Sequence, residues 1–494
     1  MREVYDMVGN GREMVHQKTK NKQELVYDVL RRNLATPDLH KKNRGEVFTA
    51  MTIVEDQLSH LPVHLWKDKT LKWLDVASGM GTYAIHCYYA LMQGLSGHIR
   101  NHGQRSKHII EKMLYMVEID ADNVRKCREL FRIVDPMAMP NVVHTDFLDP
   151  HLNLKTGAPT KNSMDLFDVV VGNPPYTKPN NKDKGRLSTR SLYPAIVAKA
   201  LSLLKPGGYM SFIHPVSWRR YSRESRFSFD TSDILFMYTN NGFNGFGVSA
   251  PYVNYYIIRN TNTPRLKTDC VTVLNGHIYR SWVNLKNHPF LPLHLHNRTM
   301  RIIYKLTNHR HNHSPPPKKS LPVDIKIISS NSTSKLSINS TKSSVFRYKN
   351  IHNYSVKKDR YIYRYSRRKH RSHDVPKVVM IYKGGFKYFK PIFDRGTLGI
   401  TDNAMFMPVD EKHKDQVLAF FNSNIIKFIL CTCNYNYGRN MKNEYLILNR
   451  LHIPIRKGGK VSGGEYEQFI RTHYGLTGTD IQFINKVLGE HDMV

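Results

Sequence analysis

Asn173-Pro174-Pro175-Tyr176 places an amide, two stiff prolines and an aromatic face in four consecutive residues. The prolines fix φ and remove two backbone donors, so the turn exposes carbonyl oxygens. The Asn173 amide brings an acceptor and donors, and Tyr176 brings a flat ring. Such a set could hold a planar group that bears an amine, accepting its N–H bonds while stacking on its ring. It could equally be a tight turn with a satisfied Asn, because Asn-Pro is a common loop initiator.

Three acidic residues lie upstream. Asp75 opens the stretch Asp75-Val76-Ala77-Ser78-Gly79-Met80-Gly81, in which glycines let the backbone pass close to a ligand and the following helix offers its N-terminal amides. The loop lacks a full G-x-G-x-x-G, and a carboxylate there would repel a pyrophosphate but suit an amino group or a sulfonium. That charge favours S-adenosylmethionine over NAD. Glu118 is of the type that accepts from two ribose hydroxyls in doubly wound cofactor sites, though a helix-capping Glu would look the same. Asp146 could accept from an adenine amine while Phe147 covers the ring; taken alone it also reads as a turn residue.

What ties these residues together is their position in the pattern. "KWLDVASGMG" reads as a strand then a glycine loop, and "KMLYMVEID", "NVVHTDFLD" and "FDVVVGNPPY" as the next three strands, each stretch carrying one of the candidates toward its carboxyl end. Helices are predicted between them, as in "YAIHCYYALMQGL" and "DNVRKCRELFRIV". A helix, a Lys-Pro-Gly-Gly turn and a fifth strand follow in "LYPAIVAKALSLLKPGGYMSFIHP", with a later strand in "PYVNYYIIRN". Strands alternating with helices from about Lys72 to Val216 predict an α/β, Rossmann-like domain with a mostly parallel sheet. Ligands of such sheets sit at the carboxyl edge.

Composition sets the wider frame. A chain of 494 residues exceeds one ordinary domain. With 74 Lys+Arg against 40 Asp+Glu, a net charge of +34, it calls for a polyanionic partner, nucleic acid ahead of a membrane surface. Five cysteines form no C-x-x-C pair, and "HRHNH" has no Cys or carboxylate frame, so a reducing compartment and no metal are expected. No leader-like start and no long apolar run is present, which predicts a soluble, intracellular protein that is not secreted and has no membrane partner.

The ordered set, glycine loop with Asp75, then Glu118, Asp146 and Asn173-Pro174-Pro175-Tyr176, resembles the class I, S-adenosylmethionine-dependent N6-adenine DNA methyltransferases with the gamma order of motifs. More narrowly it is similar to those of restriction-modification systems and their relatives in large DNA viruses. The specific likeness covers roughly residues 41–260. In that family the tetrapeptide holds a flipped-out adenine: the Asn oxygen and the next carbonyl accept the N6 hydrogens, and the Tyr stacks on the base. The resemblance assigns those roles to Asn173, the Pro174 carbonyl and Tyr176, with Pro175 stiffening the turn.

By the same likeness "NRGEVFTA" supplies Phe48 and Thr49 against the methionine part of the cofactor, with Ala50 where the family usually has Pro. Val76 and Ser78 replace a Pro and a Cys of the commoner loop, while Asp75, Ala77, Gly79 and Gly81 remain to hold the cofactor, with Glu118, Asp146 and Phe147. A second wall for the base is expected from Phe246 or Tyr252. Double-stranded DNA is the implied partner, with a cognate restriction endonuclease as a second one, in the cytoplasm or at a viral replication site. An RNA adenine methyltransferase and a non-catalytic DNA-binding module derived from the fold stay open as alternatives.

The implied organisation is an N-terminal helical extension (1–40), a methyltransferase domain (41–275) and a C-terminal mixed α+β target-recognition region (276–494). Within the last, about 306–372 is expected to be a flexible basic insertion. Between Arg301 and Arg371 there are 18 Lys+Arg against only Asp324 and Asp359, too polar a composition to offset ordering entropy. Its interleaved Tyr and Phe suit phosphate contact and stacking, or the segment has only nonspecific affinity.

Overall fold

The computed structural model describes residues 22–32, 49–150, 152, 166–176, 191–219, 232–240, 253–263, 266–274, 276–285, 288, 290–307, 320–328, 333, 335, 337–383, 388–434, 445–456 and 463–490. Phe48, Phe246 and Tyr252 lie outside the described residues. Two compact units divide the chain: Met1–Pro215 with Phe227–Tyr238 and Phe243–Thr268, and Val216–Arg226 with Thr239–Gly242 and Asp269–Val494.

The first unit is built on β1 (Trp73–Asp75), β2 (Leu114–Glu118), β3 (Asn141–His144), β4 (Phe167–Gly172), β5 (Leu204–Pro215), β6 (Ser232–Asn240) and β7 (Val253–Asn260). These lie side by side in the order β3-β2-β1-β4-β5-β7-β6. β1 to β5 run parallel, and β7 is antiparallel to β5. Parallel strands are covered on both faces, which is why they read as unbroken aliphatic runs rather than as alternation. Leu74, Met116, Val117, Val169, Val170 and Val171 are all buried. Burying each such side chain contributes about 1.5–3 kcal/mol.

The helix Ala121–Val134 between β2 and β3 shows how the sequence sets an element. Asp120 caps it by accepting from the backbone of Asp122 and Asn123. Val124, Cys127, Leu130 and Phe131 form the buried face, and Arg125 on the outer face pairs with Asp122 and Glu129. Because every parallel strand ends on the same edge, the residues that follow β1, β2, β3 and β4 converge there.

The second unit contains β8 (Thr268–Leu274), β9 (His277–Val283), β10 (Ser320–Pro322), β11 (Lys326–Ile327), β12 (Ile338–Asn339), β13 (Tyr348–Ser355), β14 (Arg360–Ser366), β15 (Lys377–Ile381), β16 (Ile392–Asp394), β17 (Gly399–Ile400), β18 (Ala404–Pro408) and β19 (His452–Pro454). β11-β18-β15-β16 and β12-β14-β13-β17 form two four-stranded sheets. Ile351, Tyr354, Val379, Ile381, Ile400 and Phe406 share one buried cluster.

The basic segment therefore departs from expectation. Tyr348–Ser355 and Arg360–Ser366 are paired antiparallel strands rather than a flexible insertion. Ile351 and Tyr354 are buried in the core while Lys349 and Arg360 stay in water, so a net count of charges conceals apolar residues that anchor the pair. A second departure lies in "KDQVLAFFNSNIIKFILCT", whose pattern predicts one helix. It is two, Lys414–Asn422 and Asn424–Thr432, because Ser423 adopts an extended backbone and its side chain accepts from the Ile426 amide, starting a new helix. Among the described residues, no helix is long and apolar enough to cross a membrane.

Candidate active site

The carboxyl ends of β1, β2 and β4 bring the acidic and amide residues together. Asp75 is the last residue of β1 and only 2% exposed. Its Oδ1 accepts weakly from the Ala77 amide at 3.4 Å, and its buried Oδ2 has no protein donor among the described residues. Burial, reinforced by the nearby Glu118, pushes its carboxyl up to about 8. A cation placed against Oδ2 would reverse that penalty by favouring the charged form.

The glycine loop runs between this carboxylate and Glu118. The Gly79 amide donates to Glu118 Oε2 at 2.7 Å, and the Ser78 amide donates to the Val117 carbonyl at 3.0 Å. Gly81 has φ +93°, and a Cβ there would meet Cys127 Sγ at 2.9 Å, so the loop can pack onto the helix Ala121–Val134 only as glycine. Gly79, by contrast, faces open space. Glu118 is buried, which raises its carboxyl above the ordinary range, while bonds from Gly79 and Asn123 pull the other way. Its Oε1 accepts from the Asp120 amide at 2.9 Å. Glu118 thus shapes the loop as well as facing the edge.

Asp146 is exposed two residues beyond β3, and its Oδ1 accepts from the Leu148 amide at 2.9 Å. Phe147 beside it is buried, with Lys199 Nζ 5.4 Å from its ring centroid. Lys199 also donates to the Asp149 carbonyl, which ties this loop to the helix Tyr193–Ser202.

The tetrapeptide follows β4 directly. Gly172 has φ +149°, and a Cβ there would lie 3.2 Å from Asp75 Oδ1, so a side chain at this position would crowd the acid of the neighbouring strand. Asn173 Nδ2 donates to Thr49 Oγ1 at 2.9 Å. Pro174 and Pro175 follow outside any helix or strand, and the Tyr176 carbonyl accepts from the Leu192 amide at 3.0 Å. The Tyr176 ring is buried, and burial raises its phenol well out of reach of a neutral-pH base.

Sequence reasoning misses four neighbours. Ile119, directly after Glu118, is 65% exposed and offers an aliphatic surface at the edge. Gln57, Tyr83 and Ser211 form a buried hydrogen-bonded line behind Thr49. Only an apolar residue continuing past an acidic strand end hints at Ile119; nothing local marks the other three, which lie on separate elements.

The segment covering β2, β4 and the tetrapeptide is also where comparison with known proteins is informative. Residues 103–246 match the Eco57I restriction-modification methylase family. The matched segment spans β2 to β6 and so holds Glu118, Asp146 and Asn173. No curated protein matches the chain. Among solved structures, the Type IIL restriction-modification enzyme MmeI in complex with DNA is 11% identical, with a TM-score of 0.52 over 94% of this chain and 78% of that one. The DrdV–DNA complex is 11% identical with a TM-score of 0.48, covering 94% and 60%. A modification subunit assigned to a type I restriction enzyme of Vibrio vulnificus YJ016 is 13% identical, with a TM-score of 0.39 over 58% of this chain; the chain spans 55% of that subunit. The likeness to MmeI shows a shared fold.

Proposed function

We propose that the chain is a DNA methyltransferase that transfers a methyl group from S-adenosylmethionine to N6 of an adenine flipped out of the duplex. The observation that carries this reading is the parallel pairing of β1 with β4, which ends Asp75 and the turn Asn173-Pro174-Pro175-Tyr176 on the same edge of the sheet. An amine-accepting turn and a buried, cation-seeking carboxylate then share one edge.

The residues fit the cofactor. Asp75 Oδ2 is a buried acceptor awaiting a donor or cation, and Gly79 leaves its Cα face open. Asp75, Ala77, Gly79 and Gly81 would hold its amino-acid end, Glu118 its ribose, and Asp146 with Phe147 its adenine. Ile119 would cover one ring face. S-adenosylmethionine supplies an electrophilic methyl group on a sulfonium.

The chain's own part is to make a poor nucleophile attack. The N6 lone pair of adenine is delocalised into the ring; acceptance of both N6 hydrogens by Asn173 Oδ1 and the Pro174 carbonyl favours the pyramidal amine and aligns it. Methyl transfer to N6, with the sulfonium sulfur as leaving group, would leave an extra N6 proton that water can accept, so no dedicated base is required. Raised far by burial, the Tyr176 phenol is suited to packing against the base rather than to proton transfer. Extrusion of the base costs stacking energy that such packing restores in part. The +34 charge suits a nucleic acid, the resemblance makes duplex DNA the partner, and a restriction endonuclease acting at the same site would be the second.

Transfer of a tritiated methyl group to unmethylated duplex DNA and to structured RNA tests the reading, with Asn173→Ala as control. Label on DNA that the substitution abolishes supports it. Label on RNA alone overturns the substrate assignment, and label on neither overturns the activity.

A further inference from the structure

An amide that accepts from a substrate amine must present oxygen rather than nitrogen to it, yet the two ends of an Asn side chain have nearly the same shape. Something must fix which end faces outward. In this chain the environment of Asn173 supplies it. Asn173 Nδ2 donates to Thr49 Oγ1 at 2.9 Å. Behind Thr49 lies the buried Tyr83 phenol, whose ionisation the Thr49 hydroxyl favours. Tyr83 donates to Gln57 Oε1 at 2.8 Å, and Gln57 Nε2 donates to Ser211 Oγ at 2.9 Å.

All members behind Asn173 are buried, Gln57 and Ser211 completely so. A buried Gln costs free energy unless its amide is satisfied, so the line can keep only arrangements in which each donor meets an acceptor. In the arrangement present, Tyr83 donates to Gln57 and Gln57 donates to Ser211, so both hydrogens point away from Thr49. Water cannot replace a lost link, because the line runs through the core between the helix Met51–Ser59, the helix Thr82–Gly94 and β5.

We propose that Thr49, held by Tyr83, Gln57 and Ser211, is a positioning residue that locks the Asn173 amide with Oδ1 toward the substrate amine. This rests on the assignment of Asn173 as the acceptor of an amine. It gives Thr49 a role distinct from contact with the cofactor: it acts through Asn173, and Tyr83 and Gln57 act through Thr49. Nothing in the lock touches the reacting atoms. It sets the fraction of molecules whose turn offers an acceptor instead of a repelling N–H.

Two measurements on the full chain test it. The first is steady-state methyl transfer by Thr49→Val, Thr49→Ser and Tyr83→Phe. Thr49→Val keeps the shape but removes the acceptor, and Tyr83→Phe removes the phenol that holds it. Both should lower kcat by about 10- to 100-fold, the scale of a misplaced reacting group, with KM for the cofactor unchanged. Thr49→Ser should restore kcat to within a few-fold. A rise in KM with kcat unchanged would overturn the proposal and make Thr49 a cofactor contact.

The second uses 15N-asparagine-labelled protein, in which the Asn173 side-chain resonance is identified by its loss in Asn173→Asp. One of its two amide protons should be protected from solvent exchange in the wild type and in Thr49→Ser, and exchange freely in Thr49→Val. Equal exchange in all three would overturn the lock. If the wild type transfers no methyl group, the proposed function fails while the exchange measurement still decides whether the amide is locked.

Discussion

Asp75 provides the sharpest handle on the site, because its ionisation and the binding of a cation must be coupled. In the ligand-free protein its carboxyl is pushed up to about 8, first by burial and then by Glu118. A ligand with a sulfonium and an ammonium group favours the carboxylate, so binding lowers the pKa and expels the proton. Below pH 8 that proton must be removed at a cost, and apparent affinity varies as one over (1 + 10^(pKa − pH)). The factor is about 100 at pH 6 and about 1 at pH 9, a loss of about 2.7 kcal/mol at about 1.36 kcal/mol per pH unit. S-adenosylmethionine should therefore bind about a hundredfold more tightly at pH 9 than at pH 6, with affinity levelling off above pH 8. Titration calorimetry in two buffers of different ionisation heat should count nearly one proton released at pH 7. Asp75→Asn should flatten the profile and hold affinity near the wild-type value at low pH. The stability of the ligand-free protein has the opposite sign. Its raised folded pKa means the native state keeps a proton that the unfolded chain loses above about 4, so stability falls as pH rises from about 4 to about 8. A pH-independent affinity with no proton release, unchanged by Asp75→Asn, would refute the placement of the cation against this carboxylate.

Three further outcomes are expected. Lys377 and Asp394 form a fully buried ion pair whose carboxylate also accepts from the amides of Gly396, Thr397 and Leu398, so Lys377→Met should cost about 3–5 kcal/mol in urea unfolding; an unchanged midpoint would contradict the burial. Gly81→Ala combines a positive φ with a Cβ 2.9 Å from Cys127 Sγ, and should lower stability by about 1–3 kcal/mol and weaken cofactor binding, both read by thermal melts with and without ligand. On β13, β14 and their turn, Lys349, Lys358 and Arg360 are exposed; changing all three to Gln should reduce the slope of log affinity for duplex DNA against log salt by up to about 0.9 for each phosphate no longer neutralised, and an unchanged slope would place the DNA elsewhere.

The ends of the parallel strands are legible because buried strands are unbroken aliphatic runs, and a carboxylate or glycine terminating one stands out. Asp75, Glu118 and Gly172 all have that signature. The line Gln57–Tyr83–Ser211 has none, since Gln57 and Ser211 are 154 positions apart and meet only once the sheet has formed. In β6 the apolar run Ile234 to Tyr238 is only five residues long, flanked by the buried polar residues Asp233 and Thr239. The β13–β14 pair escapes a reading by net charge because its few buried apolar residues, Ile351 and Tyr354, are outnumbered by the basic residues around them. The helix break at Ser423 is hidden because the apolar spacing runs across it while the cap depends on a single side chain.

The most direct test of the central claim is the identity of the methylated atom. Duplex DNA incubated with S-adenosylmethionine and either the wild-type chain or Asn173→Ala would be digested to nucleosides and analysed by mass spectrometry. The expected result is N6-methyl-2′-deoxyadenosine from the wild type and none from the variant. Methylation of cytosine, or adenine methylation that survives Asn173→Ala, would contradict the assignment of the β4 turn as the site that holds the adenine amine.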